Sequence, residues 1–211
     1  MTQSLQTGSQ TAPMLNQALL ERIETDIKEH LAPKEKRLAH SLSVASTAET
    51  LAQRYGIDTS LARAAGLLHD WDKLDSDEQL IERAYAQGID LGVDLELVAP
   101  VLHGLLSQRE LPERYPELPD EVFQAIGKHT VGAPEMSDLD MVLFVADAIE
   151  PLRPAVPDIE RLRQLAEQGI DLAELCKQTM ASSLAFVLAR GRYLWTQSVE
   201  NYNALVMNTT A

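Results

Sequence analysis

The stretch from Met141 to Ile149 is apolar almost all the way round, with one carboxylate, Asp147, embedded in it. A helix without a polar face belongs at the centre of a fold. A carboxylate inside it is costly to bury unless a cation compensates it. A chain carrying this segment needs other helices to wrap around it and positive charge to meet Asp147.

The remaining sequence reads as those other helices. Leu15, Leu19, Ile23, Ile27 and Leu31 form one stripe at four-residue spacing, closed by Pro33. A second helix is expected from about Lys34 to Tyr55, with Leu38, Leu42, Ala45, Leu51 and Ala52 inward and Gly56 as its stop. Asp58 is a candidate N-cap for a short helix from Leu61 to Asp70, whose alanines and Gly66 suit close packing. Ser76 with Gln79, and Ser137 with Asp140, have the spacing of capping boxes. A segment around Leu95 to Leu106 contains Pro100, the proline-rich stretch Leu111 to Pro119 reads as a loop, and Asp120 to Thr130 is amphipathic around Val122, Phe123 and Ile126. Helices at 158–168, 171–190 and 198–207, separated by Gly169 and Gly191, complete the chain. No strand alternation of useful length occurs, so the expected fold is all-α. Residues 1–12 read as a loose polar tail and 13–211 as a single helical domain.

The chain has 211 residues, 45% of them hydrophobic, enough for one real core. Its net charge of -14 works against nucleic-acid backbones and anionic membranes as partners. The single cysteine, Cys176, excludes an internal disulfide and suits a reducing compartment. No apolar run reaches the roughly 20 residues of a membrane span, and the N-terminus lacks the order of a signal peptide. A cytoplasmic location is expected. The apolar faces of the C-terminal helices leave open whether they close the core or form a homodimer.

Five histidines occur, and His30 sits among Glu and Lys at the end of the first helix, where it reads as exposed. The other four, His40, His69, His103 and His129, fall on or beside apolar faces of four different segments, and Asp147 lies in a fifth. Helices of a bundle that project ligands into a shared site give this distribution. His69 is followed directly by Asp70 at the end of the run Gly66-Leu67-Leu68. His40, His69 and Asp147 could hold one metal and His103 with His129 a second, with Asp70 bridging. Imidazole and carboxylate without thiolate suit Fe, Mn, Ni, Co or Zn. Two such metals can generate a hydroxide and clamp a phosphoryl group in line. Taken singly, each residue has a plainer reading: a satisfied core histidine, a helix cap, or, for Arg37 and Lys73, a solvated cation.

The joint order resembles the HD-domain metal-dependent phosphohydrolases, and within them the YqeK-like branch of bacterial enzymes that hydrolyse symmetrical dinucleoside tetraphosphates. The residues that carry the likeness are Arg37-x-x-His40, Gly66 to Asp70 with Lys73, Leu102-His103-Gly104, and the run from Ile126 through His129-Thr130 to Phe144-x-Ala146-Asp147-x-Ile149-Glu150-Pro151 with Arg153. The resemblance implies an HD-type helical bundle with two divalent metal ions, iron first, on His40, His69, Asp70, His103, His129 and Asp147. It implies cleavage of diadenosine tetraphosphate to two ADP by a metal-bound hydroxide, with Asp70 and Lys73 in catalytic roles. Arg37, Lys73, Thr130 and Arg153 are the expected substrate contacts. Two departures bear on the substrate: Leu105 to Glu110 replaces the small residues and short turn usual after His103-Gly104, and Asp72 replaces a small residue. The alternatives are an HD phosphohydrolase acting on another nucleotide and a metal-occupied nucleotide-binding module with little turnover.

Overall fold

The computed structural model describes residues 15–209, and the expected tail lies outside them. Among the described residues there are ten α-helices: α1 (Gln17–His30), α2 (Glu35–Tyr55), α3 (Thr59–Leu68), α4 (Asp77–Ala86), α5 (Ala99–Arg114), α6 (Asp120–Lys128), α7 (Asp138–Ile149), α8 (Pro157–Gln168), α9 (Leu172–Ala189) and α10 (Thr196–Thr209). Short 3-10 turns occupy Trp71–Leu74 and Leu95–Leu97, and no strand is present among those residues.

Helix α7 is central, as its all-round apolar surface requires: every residue from Leu139 to Ala146 is buried. It packs against α2, α3, α6, α8 and α9. Ser137 and Asp140 close a capping box at its start, and the same Asp140 carboxylate accepts a 2.6 Å bond from Lys128 of α6. That pair fixes the end of α6, where His129 follows, against the helix that carries Asp147. The apolar stripe of α1 seals the core from one side, with Ile23, Ile27 and Leu31 fully buried. A smaller apolar cluster, built on Leu80, Ala84, Ile89, Leu95, Val98, Leu102 and Leu106, lies under α4 and α5, and Trp195 packs on it.

Two glycines set how closely the site-bearing helices approach. A Cβ on Gly66 would lie 2.6 Å from the Cα of Ala45, so α3 rests backbone-to-backbone on α2. A Cβ on Gly104 would lie 2.9 Å from the Ile126 carbonyl oxygen and 3.1 Å from the His129 ring, so α5 likewise admits the His129 imidazole only without a side chain there.

The caps at Asp58 and Ser76 form as the spacing predicts. Two boundaries differ. Helix α3 stops at Leu68, leaving His69 and Asp70 on a turn. Helix α5 does not give way to a loop at Leu111 but runs through Pro112 to Arg114. An internal proline costs roughly 3 kcal/mol. Burial of Leu111 and of Tyr115, which is fully enclosed and donates to Asp26 at 2.8 Å, offsets it at about 1.5–3 kcal/mol per large side chain.

Candidate metal centre

Four helical segments and the turn after α3 deliver six side chains to one point. His40 comes from the second turn of α2, His103 from α5, His129 from the end of α6, Asp147 from the last turn of α7, and His69 with Asp70 from the turn. His40 Nε2 lies 3.3 Å from His69 Nε2 and 3.0 Å from Asp147 Oδ1. On the other side His103 Nε2 lies 3.0 Å from His129 Nε2. Asp70 stands between them. Its Oδ2 is 3.6 Å from His40 and 3.5 Å from His69, and its Oδ1 is 3.2 Å from His103 and 3.9 Å from His129.

The hydrogen bonds on the far side of each ring decide what the near side can do. Nδ1 of His69, His103 and His129 faces the carbonyl oxygens of Gly66, Pro100 and Ile126 at 2.7, 2.8 and 2.6 Å. A carbonyl only accepts, so each Nδ1 carries the proton and each Nε2 presents a bare lone pair. His40 Nδ1 is held the same way by Glu150 Oε1 at 3.0 Å. With the rings neutral, the lone pairs of four imidazoles and two carboxylates thus converge on one point. Burial, with the neighbouring His103 and His69, pushes His129 down to about 3, and burial likewise lowers His69, so protonation does not resolve the repulsion there. A divalent cation does. Donor atoms around an ion bound at about 2.1 Å sit about 3.0 Å apart in an octahedral site and about 3.4 Å apart in a tetrahedral one, which matches the shorter separations here. His40, His69 and Asp147 form one group able to hold an ion, and His69, Asp70 and His129 another.

The carboxylates are prepared as anions. Burial alone would raise Asp70, but the imidazoles of His69, His103 and His129 hold it well below the usual carboxylate range. Asp147 is held low against burial by its hydrogen bond with His40 and the charge of Arg153. For His40 the Asp147 and Glu150 bonds outweigh burial, and its pKa is raised.

Cations ring this cluster. Arg37 donates to Asp70 Oδ2 at 2.6 Å, and Arg153 donates to Asp147 Oδ1 at 2.5 Å and to its carbonyl at 2.9 Å. Lys73 is half-buried, its pKa lowered mainly by burial, and it feels the charges of Asp70 and Asp147. Its ammonium makes no hydrogen bond or ion pair among the described residues. Thr130 directly follows His129 in the same turn, with a buried hydroxyl that has no hydrogen-bond partner among the described residues.

Three features were missed or left open by the sequence reading. Glu150, buried beside His40, is the carboxylate that fixes the His40 ring; only its place three residues after Asp147 hinted at this. Asp72 does not face the site: it is buried and accepts from Ser107 at 2.6 Å and Arg83 at 2.9 Å. His30 is not an idle surface residue. It stacks on Trp71 with ring centroids 3.9 Å apart, and its Nε2 lies 2.9 Å from the Trp71 carbonyl oxygen. Together with Lys34, which donates to the carbonyls of Lys73 and Leu74, it secures the turn that carries Lys73.

A buried His/Asp cluster of this order, on an all-helical frame, matches the HD domain family over residues 37–152, and the chain belongs to that family. Among its relatives are the symmetrical bis(5'-nucleosyl)-tetraphosphatases. The one from Staphylococcus aureus is 32% identical over 171 residues, covering 80% of this chain and 86% of its own. The one from Bacillus subtilis is 33% identical, covering 82% and 90%. A crystal structure from Clostridium acetobutylicum, described as a "predicted HD superfamily hydrolase involved in NAD metabolism", superposes with a TM-score of 0.79 at 33% identity, over 89% of this chain and 97% of that one. The family implies divalent-metal binding, and the cluster supplies the side chains for it. No helix among the described residues is long and apolar enough to cross a membrane.

Proposed function

We propose that the chain is a metal-dependent hydrolase that splits symmetrical dinucleoside tetraphosphates into two nucleoside diphosphates. The observation that carries the metal site is Asp70, which turns one carboxylate oxygen to each histidine pair. The substrate rests on the likeness to the symmetrical tetraphosphatases, which covers 80–82% of this chain. In this reading His40, His69, Asp70, His103, His129 and Asp147 would hold two divalent ions; imidazole and carboxylate suit Fe, Mn, Ni, Co or Zn, and the family resemblance puts iron first. Bound there, such ions would supply charge to neutralise the phosphoryl oxygens and would lower the pKa of water.

The chain's own residues do the rest. Lys73, whose ammonium has no hydrogen-bond or ion-pair partner among the described residues, offers it to a phosphate oxygen. Arg37 and Arg153 are each held by a carboxylate of the cluster and present remaining N–H groups toward a polyphosphate. Water adds across the central P–O–P bridge; its oxygen joins one phosphorus, the bridging oxygen leaves with the other nucleoside diphosphate, and a proton is released. The net charge of -14 makes this local collection of cations necessary, and it argues against nucleic acid as a partner.

The test is product analysis with diadenosine tetraphosphate after loading with Fe(II) or Mn(II). ADP as the only product is expected. ATP plus AMP would overturn the symmetrical cut, and no product from a metal-loaded sample would overturn the substrate. The run of α5 past Gly104 to Arg114 favours a second reading, in which another nucleotide is the substrate of the same centre.

A further inference from the structure

Beyond residue 152, where the match to the HD domain family ends, α8 sends one side chain back to the turn that finishes α7. Helix α7 stops because Glu150 leaves helical geometry (φ -53°, ψ 148°) and Pro151 comes next, so its last carbonyls lack intrahelical partners. Arg163 takes them. Its Nε donates to the Ile149 carbonyl at 2.8 Å, and its Nη2 donates to those of Glu150 at 2.7 Å and Arg153 at 3.1 Å. A cation at a helix C-terminus is also favoured by the helix dipole.

The turn so gripped is the one from which two arms reach the metal centre. The Glu150 side chain holds His40 Nδ1 at 3.0 Å and accepts the Leu152 N–H at 2.6 Å. The Arg153 side chain holds Asp147. Arg163 itself touches no carboxylate or imidazole of the cluster.

We propose that Arg163 is a positioning residue of the metal centre: its planar fork fixes the backbone from Ile149 to Arg153, and thereby the orientation of His40 and Asp147. The planar five-donor fork is what the geometry uses; a lysine ammonium could satisfy only part of it. This rests on the reading of the six-residue cluster as a metal site.

The experiment compares the full-length protein with Arg163→Gln, Arg163→Lys and Leu162→Ala. Each is loaded with Co(II), and affinity is measured by chelator competition alongside the visible spectrum and the melting temperature. Arg163→Gln is expected to weaken cobalt binding about 10–100-fold, in the range for residues that orient metal ligands, and to alter the cobalt spectrum. Arg163→Lys should fall between it and the parent. Leu162→Ala should lower the melting temperature and leave affinity and spectrum alone. Unchanged cobalt affinity in Arg163→Gln overturns the proposal, and so does an equal loss in Leu162→Ala, which would mark a general effect of α8 packing. Should the Gln variant not fold, Arg163→Lys against Leu162→Ala makes the same comparison. A parent protein that binds no cobalt at all would instead overturn the metal-site reading beneath it.

Discussion

Replacing Glu150 by Gln removes one charge and exchanges one oxygen for an amide at a position where both carboxylate oxygens are in use. The Leu152 N–H on Oε2 and the His40 Nδ1–H on Oε1 converge on this carboxylate from fixed directions, and the Ser43 side chain is hydrogen-bonded to it as well. A Gln side chain has a single acceptor oxygen. The backbone N–H cannot reverse its polarity, so the oxygen stays with it and the amide N–H₂ faces His40. Donor then meets donor. His40 escapes by moving its proton to Nε2, which spends the lone pair that a metal would take. The site is 1% exposed at the Glu150 side chain, so water cannot stand in. A hydrogen bond to a charged group contributes about 1.5–3 kcal/mol, and each 1.4 kcal/mol is tenfold. Metal affinity should therefore fall roughly 10- to 150-fold, with kcat/KM falling alongside. The assay is chelator competition at equilibrium, with thermal melts of the chelated proteins as the folding control. The metal-free variant should melt close to the metal-free parent, because the relocated proton bonds Asp147, 3.0 Å away. A folded Glu150→Gln protein with the parent's metal affinity would refute the argument from ring orientation.

Three further outcomes are expected. Chelation should lower the melting temperature by roughly 5–10 °C relative to protein in about hundredfold excess of metal over its dissociation constant, and equal melts would speak against an internal site. The chelated protein should lose stability as pH falls: His69 sits below 6.5 and His129 at about 3, so the folded chain binds fewer protons than the unfolded one between those values. That contribution is complete above about pH 6.5 and drops by up to about 1.4 kcal/mol per pH unit for each imidazole; His40, raised, acts in the opposite sense, and a melting temperature flat from about pH 6.5 down to about pH 4 would refute the sign. Gly66→Ala places a Cβ 2.6 Å from the Cα of Ala45, so denaturation midpoints should show a loss of about 3 kcal/mol. An unchanged midpoint would mean that the two helices separate freely.

The helices and the cluster were legible because both leave local marks. Stripes such as Leu19, Ile23 and Ile27, and caps such as Ser76 with Gln79, are set within a few residues of themselves. The six candidate ligands stand out because polar residues at the ends of apolar runs have few other uses. What was not legible depends on partners far along the chain. Glu150 meets a ring 110 residues away, and His30 finds its stacking partner 41 residues on. Asp72 has the place of a charge aimed at the substrate; only the fold brings Ser107 and Arg83 round to take it. Pro112 reads as a helix breaker because the burial that overrides it, at Leu111 and Tyr115, is a tertiary fact.

The stacking of Trp71 on His30 gives the molecule an optical handle. The chain has two tryptophans, and they sit in different surroundings. Trp71 opens the turn directly after Asp70, between His30 and, edge-on, Tyr115. Trp195 lies on the cluster under α4 and α5, just before α10 begins. In a Trp195→Phe protein all the remaining indole fluorescence comes from the residue beside Asp70. Filling of the site, and any movement of the turn that carries Lys73, can then be followed in real time without a label.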